Sequence, residues 1–283
     1  MLGKPYSFVR ICCSVVVALV MLGFMVDKAS LESAAKLAGA EDVVASGSDY
    51  IASFTPQQPR PEYTFQSPGK VIESRIGKIR VWVSCAYRGP LYAEVYLGKD
   101  EADTKRVSRF YKDYNIPDEC QSKTTRTYAN SPYHRGHLIA ANHVDDSYIS
   151  IKSSNTITNV VPQHKTSNLG AWYSTEKLTE CYREHHRIRV LAGAFYGRRT
   201  SAGRFIESHG ISIPKAMWKL LLLDDAMYAA WVIPNNETAT RHALDSFRVS
   251  LSELMAYTQL ALVDEPERFK SVALIEFNDC HLS

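Results

Sequence analysis

The stretch from Tyr133 to Glu176 concentrates side chains that can move protons and hold a hard cation. It contains His134-Arg135-Gly136-His137, Asn142-His143, Asn159-Val160-Val161-Pro162-Gln163, and finally Asn168 with Trp172 and Glu176. Hydrolysis of a phosphodiester needs a group that deprotonates water, a metal that neutralises phosphoryl oxygens, and a positive charge that absorbs what develops in the transition state. His137 suits the first task, because an imidazole with an ordinary pKa of about 6.5 is largely neutral at physiological pH and accepts a proton. Asn168 suits the second. Mg²⁺ favours oxygen ligands and keeps several waters, so one side-chain carbonyl plus substrate phosphate suffices where zinc would demand several protein ligands; Mn²⁺ is an alternative ion. Asn168, Trp172 and Glu176 recur at steps of four, so at about 100° per residue one helix would carry all three along a stripe. Glu176 could then hold a metal-bound water or the Asn168 side chain, with Trp172 as core. A zinc site built from His134, His137, His143 and His164 is the weaker reading, since their spacing is not that of a helical zinc hydrolase.

Such a set needs a scaffold that holds distant segments together. Val71–Val83 and Pro90–Leu97 alternate β-branched and aromatic residues around a turn containing Arg88-Gly89-Pro90, and read as antiparallel strands. Ile188–Tyr196, Ala216–Leu223 and Met227–Ile233 are further strands, the last closed by Pro234-Asn235-Asn236. Arg109–Asn130 reads as a long loop, and Asn168–His186 and Ser250–Thr258 as helices. Strands predominate and are hairpin-connected, so the fold class is α+β with a central antiparallel sheet flanked by helices.

In this order and spacing the four motifs resemble the sugar-non-specific DNA/RNA endonuclease family of the endonuclease G type. Its pattern is Asp-Arg-Gly-His, then Asn-His, Asn-x-x-Pro-Gln, and an Asn near Ala-Trp; weaker similarity runs from about Val71 to about Phe269. The resemblance implies a ββα-metal active site, Mg²⁺, hydrolysis of both DNA and RNA to 5′-phosphorylated ends, and a homodimer. It matches His137 to the general base and Asn168 to the direct metal ligand, with Arg135 and Glu176 at supporting active-site positions. Arg109, in the run Ser108-Arg109-Phe110-Tyr111-Lys112-Asp113, matches an upstream arginine that contacts the phosphate. Asn159 would brace the site by hydrogen bonding. The chain departs from the pattern at His134, where the family has Asp. A carboxylate only accepts, whereas a neutral imidazole carries one donor and one acceptor, so His134 is expected to fix loop geometry or contact phosphate. The alternative function is a catalytically impaired nuclease-fold protein that binds nucleic acid or a protein partner.

Composition bounds these readings. The 283 residues are 45% hydrophobic and 22% charged, which excludes disordered and collagen-like chains. With 33 basic against 30 acidic residues the net charge is only +3, so any nucleic-acid contact must rest on local positive charge. There is no GxSxG, P-loop, GxGxxG or EF-hand loop. Residues 1–10 carry Lys4 and Arg10 without an acid, and Ile11–Val26 is a run of 16 uncharged residues. That length lies between a signal-peptide core of about 7–15 residues and the lower limit of about 17 for a spanning helix. Residues 1–26 therefore read as a cleaved signal peptide or an uncleaved membrane anchor, 27–60 as a spacer with a helix over Leu31–Val44, and 61–283 as the endonuclease-like domain. Export to a periplasmic, secreted or membrane-anchored site fits this leader; so, alternatively, does the mitochondrial intermembrane space. Beyond Cys12 and Cys13, the cysteines are Cys85, Cys120, Cys181 and Cys280, which permit two disulfides in three pairings or four buried thiols. The arginine-rich tract from Arg183 to Arg204 reads equally as a solvated helix end or a phosphate contact, and Asn236-Glu237-Thr238 is a glycosylation sequon.

Overall fold

Gly77 sits in the left-handed region at φ 61°, a conformation glycine adopts without steric cost. It converts the expected first strand into a hairpin, β1 (Val71–Ile76) and β2 (Ile79–Ser84), followed by β3 (Gly89–Leu97). The computed structural model describes residues 69–197, 205–224 and 226–272, all within the compact unit Pro59–Ser283. The leader, the spacer with its expected helix, Cys280, Arg198, Arg199 and Arg204 lie outside the described residues.

The remaining strands are β4 (Tyr133–His137), β5 (Val160–His164), β6 (Ile188–Phe195), β7 (Phe205–Ile206), β8 (Ile211–Ser212), β9 (Ala216–Leu223), β10 (Met227–Pro234) and β11 (Lys270–Ser271). The main sheet has the order β1-β2-β3-β6-β9-β10-β11; every pairing in it is antiparallel except the short β10–β11 edge. The pairs β4–β5 and β7–β8 form two separate antiparallel hairpins.

The helices are α1 (Tyr148–Ser154), α2 (Lys165–Leu169), α3 (Ala171–Arg183) and α4 (Leu251–Thr258). The single helix expected over Asn168–His186 is broken. Gly170, at φ −107° and ψ −114°, leaves helical geometry between α2 and α3, and the Ala171 amide bonds to the Ala239 carbonyl at 3.1 Å. A Cβ at 170 would overlap the carbonyls of Thr166 and Ala239, so a side chain is excluded at the break. Trp172 and Glu176 therefore share α3, while Asn168 belongs to the preceding short turn. It is also not an N-cap; His164 caps α2, its Nδ1 accepting from the Thr166 amide at 3.3 Å. Helix α4 begins as expected on the Ser250–Glu253 capping box.

Both faces of the main sheet are covered. One face packs Val81, Ala93, Val190, Met217, Leu221 and Trp231 against Trp172, Leu178 and Tyr182 of α3; the other packs Trp218, Leu220 and Tyr228 against Leu251, Leu254 and Tyr257 of α4. All eight residues of the central strand β9 are consequently buried, Lys219 included. The loop after β3 holds little regular structure beyond a turn at Asp118–Cys120. A Cys85–Cys120 disulfide, spanning 35 residues, ties it to the end of β2; closing a loop of that length stabilises by about 4 kcal/mol in the chain-entropy account. Cys181 is also disulfide-bonded, so the reading with four free thiols does not hold.

Candidate active site

Strand β4 carries the His-Arg-Gly-His sequence, and the antiparallel register sets Arg135 opposite Pro162, Gly136 opposite Val161 and His137 opposite Val160. Gly136 must be glycine: a Cβ there would overlap the Gln163 side chain. Because α2 follows β5 directly, the chain turns back and brings Asn168 beside His134, with the Asn168 Nδ2 to His134 Nδ1 distance at 3.3 Å. Three motifs separated in sequence thus converge on one hairpin and the helical turn that follows it. Asn159 braces the hairpin from beneath, its amide bonding the Ile139 N–H and carbonyl and the Ser154 carbonyl at 2.9–3.0 Å. Asn235 ties the hairpin to the main sheet, bonding the His164 amide at 2.7 Å and the Pro162 carbonyl at 2.9 Å.

His137 is oriented by a residue that sequence reasoning missed. Its Nε2 lies 2.8 Å from Asn155 Oδ1. The Asn155 Nδ2 donates to the carbonyls of Val107 and, at 3.1 Å, Arg109, so Oδ1 is the acceptor face and His137 Nε2 carries the proton. The lone pair is left on Nδ1. Phe110 stacks on the imidazole with ring centroids 5.5 Å apart, and the Trp172 indole N–H bonds the His137 carbonyl at 3.0 Å. Burial lowers the His137 pKa to about 4, opposed by the Asn155 bond and assisted by the charges of Arg106 and Arg135; the ring is neutral at physiological pH.

The same logic applies to Asn168. If its Nδ2 donates to His134 Nδ1, its Oδ1 faces outward as a hard neutral donor, and His134 supplies the acceptor that an aspartate would. Asn168 and His134 line a cleft of about 450 Å³ with Phe110, Thr127, Tyr128, Ser131, Tyr133 and Arg135. Burial raises the Tyr128 hydroxyl well above the ordinary range, so it stays protonated and is no candidate base.

The cations divide unevenly. Arg135 stacks over Phe110 at 3.9 Å and donates to the Thr125 carbonyl at 2.7 Å; burial lowers its pKa, yet it stays charged. The Arg109 guanidinium lies 5.7 Å from the Tyr111 ring, which Lys152 also approaches at 4.9 Å, and Arg109, like His137, Arg106 and Glu176, is not among the residues lining the cleft. Arg106, three residues earlier and exposed, lies near enough for its positive charge to act on both His137 and Glu176. Burial raises the Glu176 carboxyl above its ordinary range, while Lys219, Arg106 and a hydrogen bond from Trp172 draw it back.

The four histidines of the zinc reading are dispersed. His143 is buried behind α3, its Nε2 3.4 Å from the Glu176 carbonyl and from Glu180, and His164 caps α2. Among the described residues no three His, Cys, Asp or Glu side chains gather to hold a metal. In the basic tract, Arg183 bonds the carbonyls of Gly98 and Asn142 and Arg189 pairs with Glu94, so both are committed within the fold.

With this geometry in hand, comparison with known proteins is informative. The profile of a family described as DNA/RNA non-specific endonuclease matches residues 57–269. The mitochondrial nuclease EXOG of Xenopus laevis is 23% identical over 253 residues, 82% of this chain and 70% of that protein. Human mitochondrial endonuclease G is 26% identical over 152 residues. The match to it covers 50% of this chain and about half of the relative, 51%. Among solved structures, a chain from a crystal structure of the EndoG/EndoGI complex, described as showing the mechanism of EndoG inhibition, superimposes with a TM-score of 0.62 at 18% identity, covering 74% of this chain and 92% of that one.

Proposed function

The chain belongs to the DNA/RNA non-specific endonuclease family, and from that premise we propose that it is a metal-dependent endonuclease hydrolysing phosphodiester bonds of DNA and RNA. The observation that carries this reading is the pair of hydrogen bonds that leave His137 Nδ1 and Asn168 Oδ1 open on one hairpin and its following turn.

Asn168 Oδ1 fits a hard divalent ion that keeps most of its own waters, Mg²⁺ in the first instance and Mn²⁺ as the alternative. When bound, the ion would neutralise the non-bridging and leaving oxygens of the phosphate. The protein's own residues supply the rest. His137 takes a proton from water at Nδ1 while Asn155 holds Nε2–H, and the water attacks phosphorus in line with the leaving 3′ oxygen. Arg135 and Arg106 spread positive charge over the cleft, and Arg109, although turned toward Tyr111, can swing to a phosphate from its exposed position. Glu176 would supply a carboxylate to hydrogen-bond a water of the ion when it is bound. The test is plasmid and RNA cleavage with Mg²⁺: His137→Ala and Asn168→Ala are each expected to lose most of the rate, and undiminished cleavage by either would sink the assignment.

The impaired-binder reading rests on His134 alone, and His134 still offers Asn168 the acceptor it needs. His134→Asp discriminates: a large gain in rate would favour impairment, whereas little change is expected of an active enzyme.

For the compartment, the mitochondrial intermembrane space is favoured over bacterial export. The relatives named above are mitochondrial proteins, and a disulfide needs a compartment that does not reduce it. No helix among the described residues is long and apolar enough to cross a membrane. N-terminal sequencing of the mature chain would decide between import sequence, anchor and export signal.

A further inference from the structure

Lys219 is the one lysine in the wholly buried strand β9. Its flanking partners in the sheet are Ala192 and Trp231, neither of which can neutralise a charge, and its ammonium has no hydrogen-bond partner among the described residues. A buried, unpaired lysine is costly, and such residues are rare outside functional sites. What the ammonium does meet is the face of Trp172, with Nζ 4.1 Å from the ring centroid. A cation–π contact of this kind strengthens when it is desolvated.

Trp172 is the link to the site. Its indole N–H bonds the His137 carbonyl at 3.0 Å, and Glu176 follows one helical turn later on α3. Glu176 in turn feels the Lys219 charge more strongly than that of any other cation. The other titratable and charged groups around this pocket are His143, which burial and Lys219 hold neutral, Glu180 and Arg183, which pair with each other at 3.6 Å, and Arg106 on the far side of Glu176. Lys219 therefore contacts the ring that holds the His137 backbone and does not line the cleft.

We propose that Lys219 is a positioning residue of the nuclease site: its buried ammonium pins the Trp172 ring that holds the His137 backbone and sets a positive charge behind Glu176 on the same helix. This rests on the nuclease reading above.

The test uses the full chain and three substitutions. Lys219→Met removes the charge at similar length and is expected to lower kcat by about 10–100-fold, the usual cost of disturbing outer support of a metal site, with KM for DNA within about twofold. Lys219→Arg should recover part of the loss. Combined with Glu176→Gln, Lys219→Met should cost less than the product of the two single losses, since part of its effect passes through that carboxylate. Wild-type kcat in Lys219→Met would overturn the proposal, as would losses that multiply in the double variant. If Lys219→Met does not fold, Trp172→Phe keeps a ring under the ammonium and deletes the indole donor; it is expected to lose a similar factor in kcat, and unchanged kcat would overturn the proposal. Calorimetric Mg²⁺ affinity and the Trp172 indole N–H resonance are read on the same proteins without substrate. If wild type fails to cleave, the nuclease reading falls, while weaker Mg²⁺ binding and a shifted indole resonance in Lys219→Met would still support the positioning role, and their absence would defeat it.

Discussion

Asn155 offers the sharpest check on how the base is held. In Asn155→Leu, His137 Nε2–H loses its acceptor and the carbonyls of Val107 and Arg109 lose their donor. Carbonyls left without a partner cost about 1–3 kcal/mol each when buried, and these two are only partly buried, so the variant should lose about 2 kcal/mol of stability, about 4–8 °C in Tm for a domain of this size. Free of Asn155, the imidazole can place its proton on either nitrogen and rotate about χ2, and the expected loss in kcat is about 10–100-fold, or about 1.4–2.7 kcal/mol. Asn155→Asp separates the two roles. It keeps an acceptor for Nε2–H and adds a charge that raises the imidazole pKa from about 4, but it cannot donate to either carbonyl. It should therefore share the stability loss while retaining more kcat than Asn155→Leu, with its acid limb moved to higher pH. The assay is initial-rate plasmid nicking against pH at saturating Mg²⁺, at a temperature below each variant's Tm, together with nitrogen-resolved NMR of the His137 ring. Wild-type kcat in Asn155→Leu, or a proton found on Nδ1 in the wild-type resting enzyme, would refute the arrangement.

Two further outcomes follow from the same geometry. Arg106→Ala should cut kcat by about 100-fold, the scale of a preorganised charge donor, whereas Arg109→Ala should act mainly on KM and on the salt dependence of binding; the reverse ranking in steady-state assays would restore Arg109 to the reacting phosphate. The pH dependence carries a definite sign. With the His137 pKa lowered to about 4, the acid limb of kcat/KM in the free enzyme should lie well below 6.5, and a His137 NMR titration centred near 6.5 would contradict the burial argument. Stability is a balance: His137 and His143, both lowered, favour unfolding as pH falls below about 6.5, while Glu180, raised to about 7 by burial, takes up its proton in the folded state and opposes them between about pH 7 and 4.5. Thermal melts should thus change little from pH 7 to 5 and decline more steeply below 4.5.

How much of this was legible in the sequence depended on whether local pattern or tertiary context decided the outcome. Strand β9 was readable because Ala216–Leu223 is an unbroken apolar run but for Lys219, and α4 because Ser250 and Glu253 cap themselves. The β4–β5 hairpin was invisible as strand: His-Arg-Gly-His has no apolar alternation, and the pairing with β5 supplies what propensity does not. The break at Gly170 was missed because its reason is the Ala239 carbonyl, far away in the chain. At the site, motif order singled out His137, Asn168 and Glu176 as candidates, since their types and spacing can carry the chemistry. Asn155 lies in the unremarkable run Ser153-Ser154-Asn155-Thr156, and nothing in Lys105-Arg106-Val107-Ser108-Arg109 says which arginine's charge acts on His137. Both depend on how the loop after β3 is stitched to the end of α1, where the Tyr111 amide bonds the Asn155 carbonyl at 3.0 Å.

The position where the chain departs from its family then acquires a physical meaning. An aspartate at 134 would accept the same Asn168 hydrogen bond that His134 accepts at 3.3 Å, so geometry alone does not require it. It would also place a carboxylate close to any ion held on Asn168 Oδ1. At about 6 Å and an effective dielectric of about 20 that is an attraction of about 3 kcal/mol per unit of ion charge, before hydration is subtracted. A neutral imidazole gives up that attraction and, by the same arithmetic, gives up an equal repulsion against each phosphate charge entering the cleft. In a chain with a net charge of only +3, the second effect matters: Arg135 lines the cleft, and the charges of Arg106 and Lys219 offset that of Glu176. On the nuclease reading, His134 shifts the site from recruiting its metal alone toward recruiting it together with the phosphate that the metal is there to polarise.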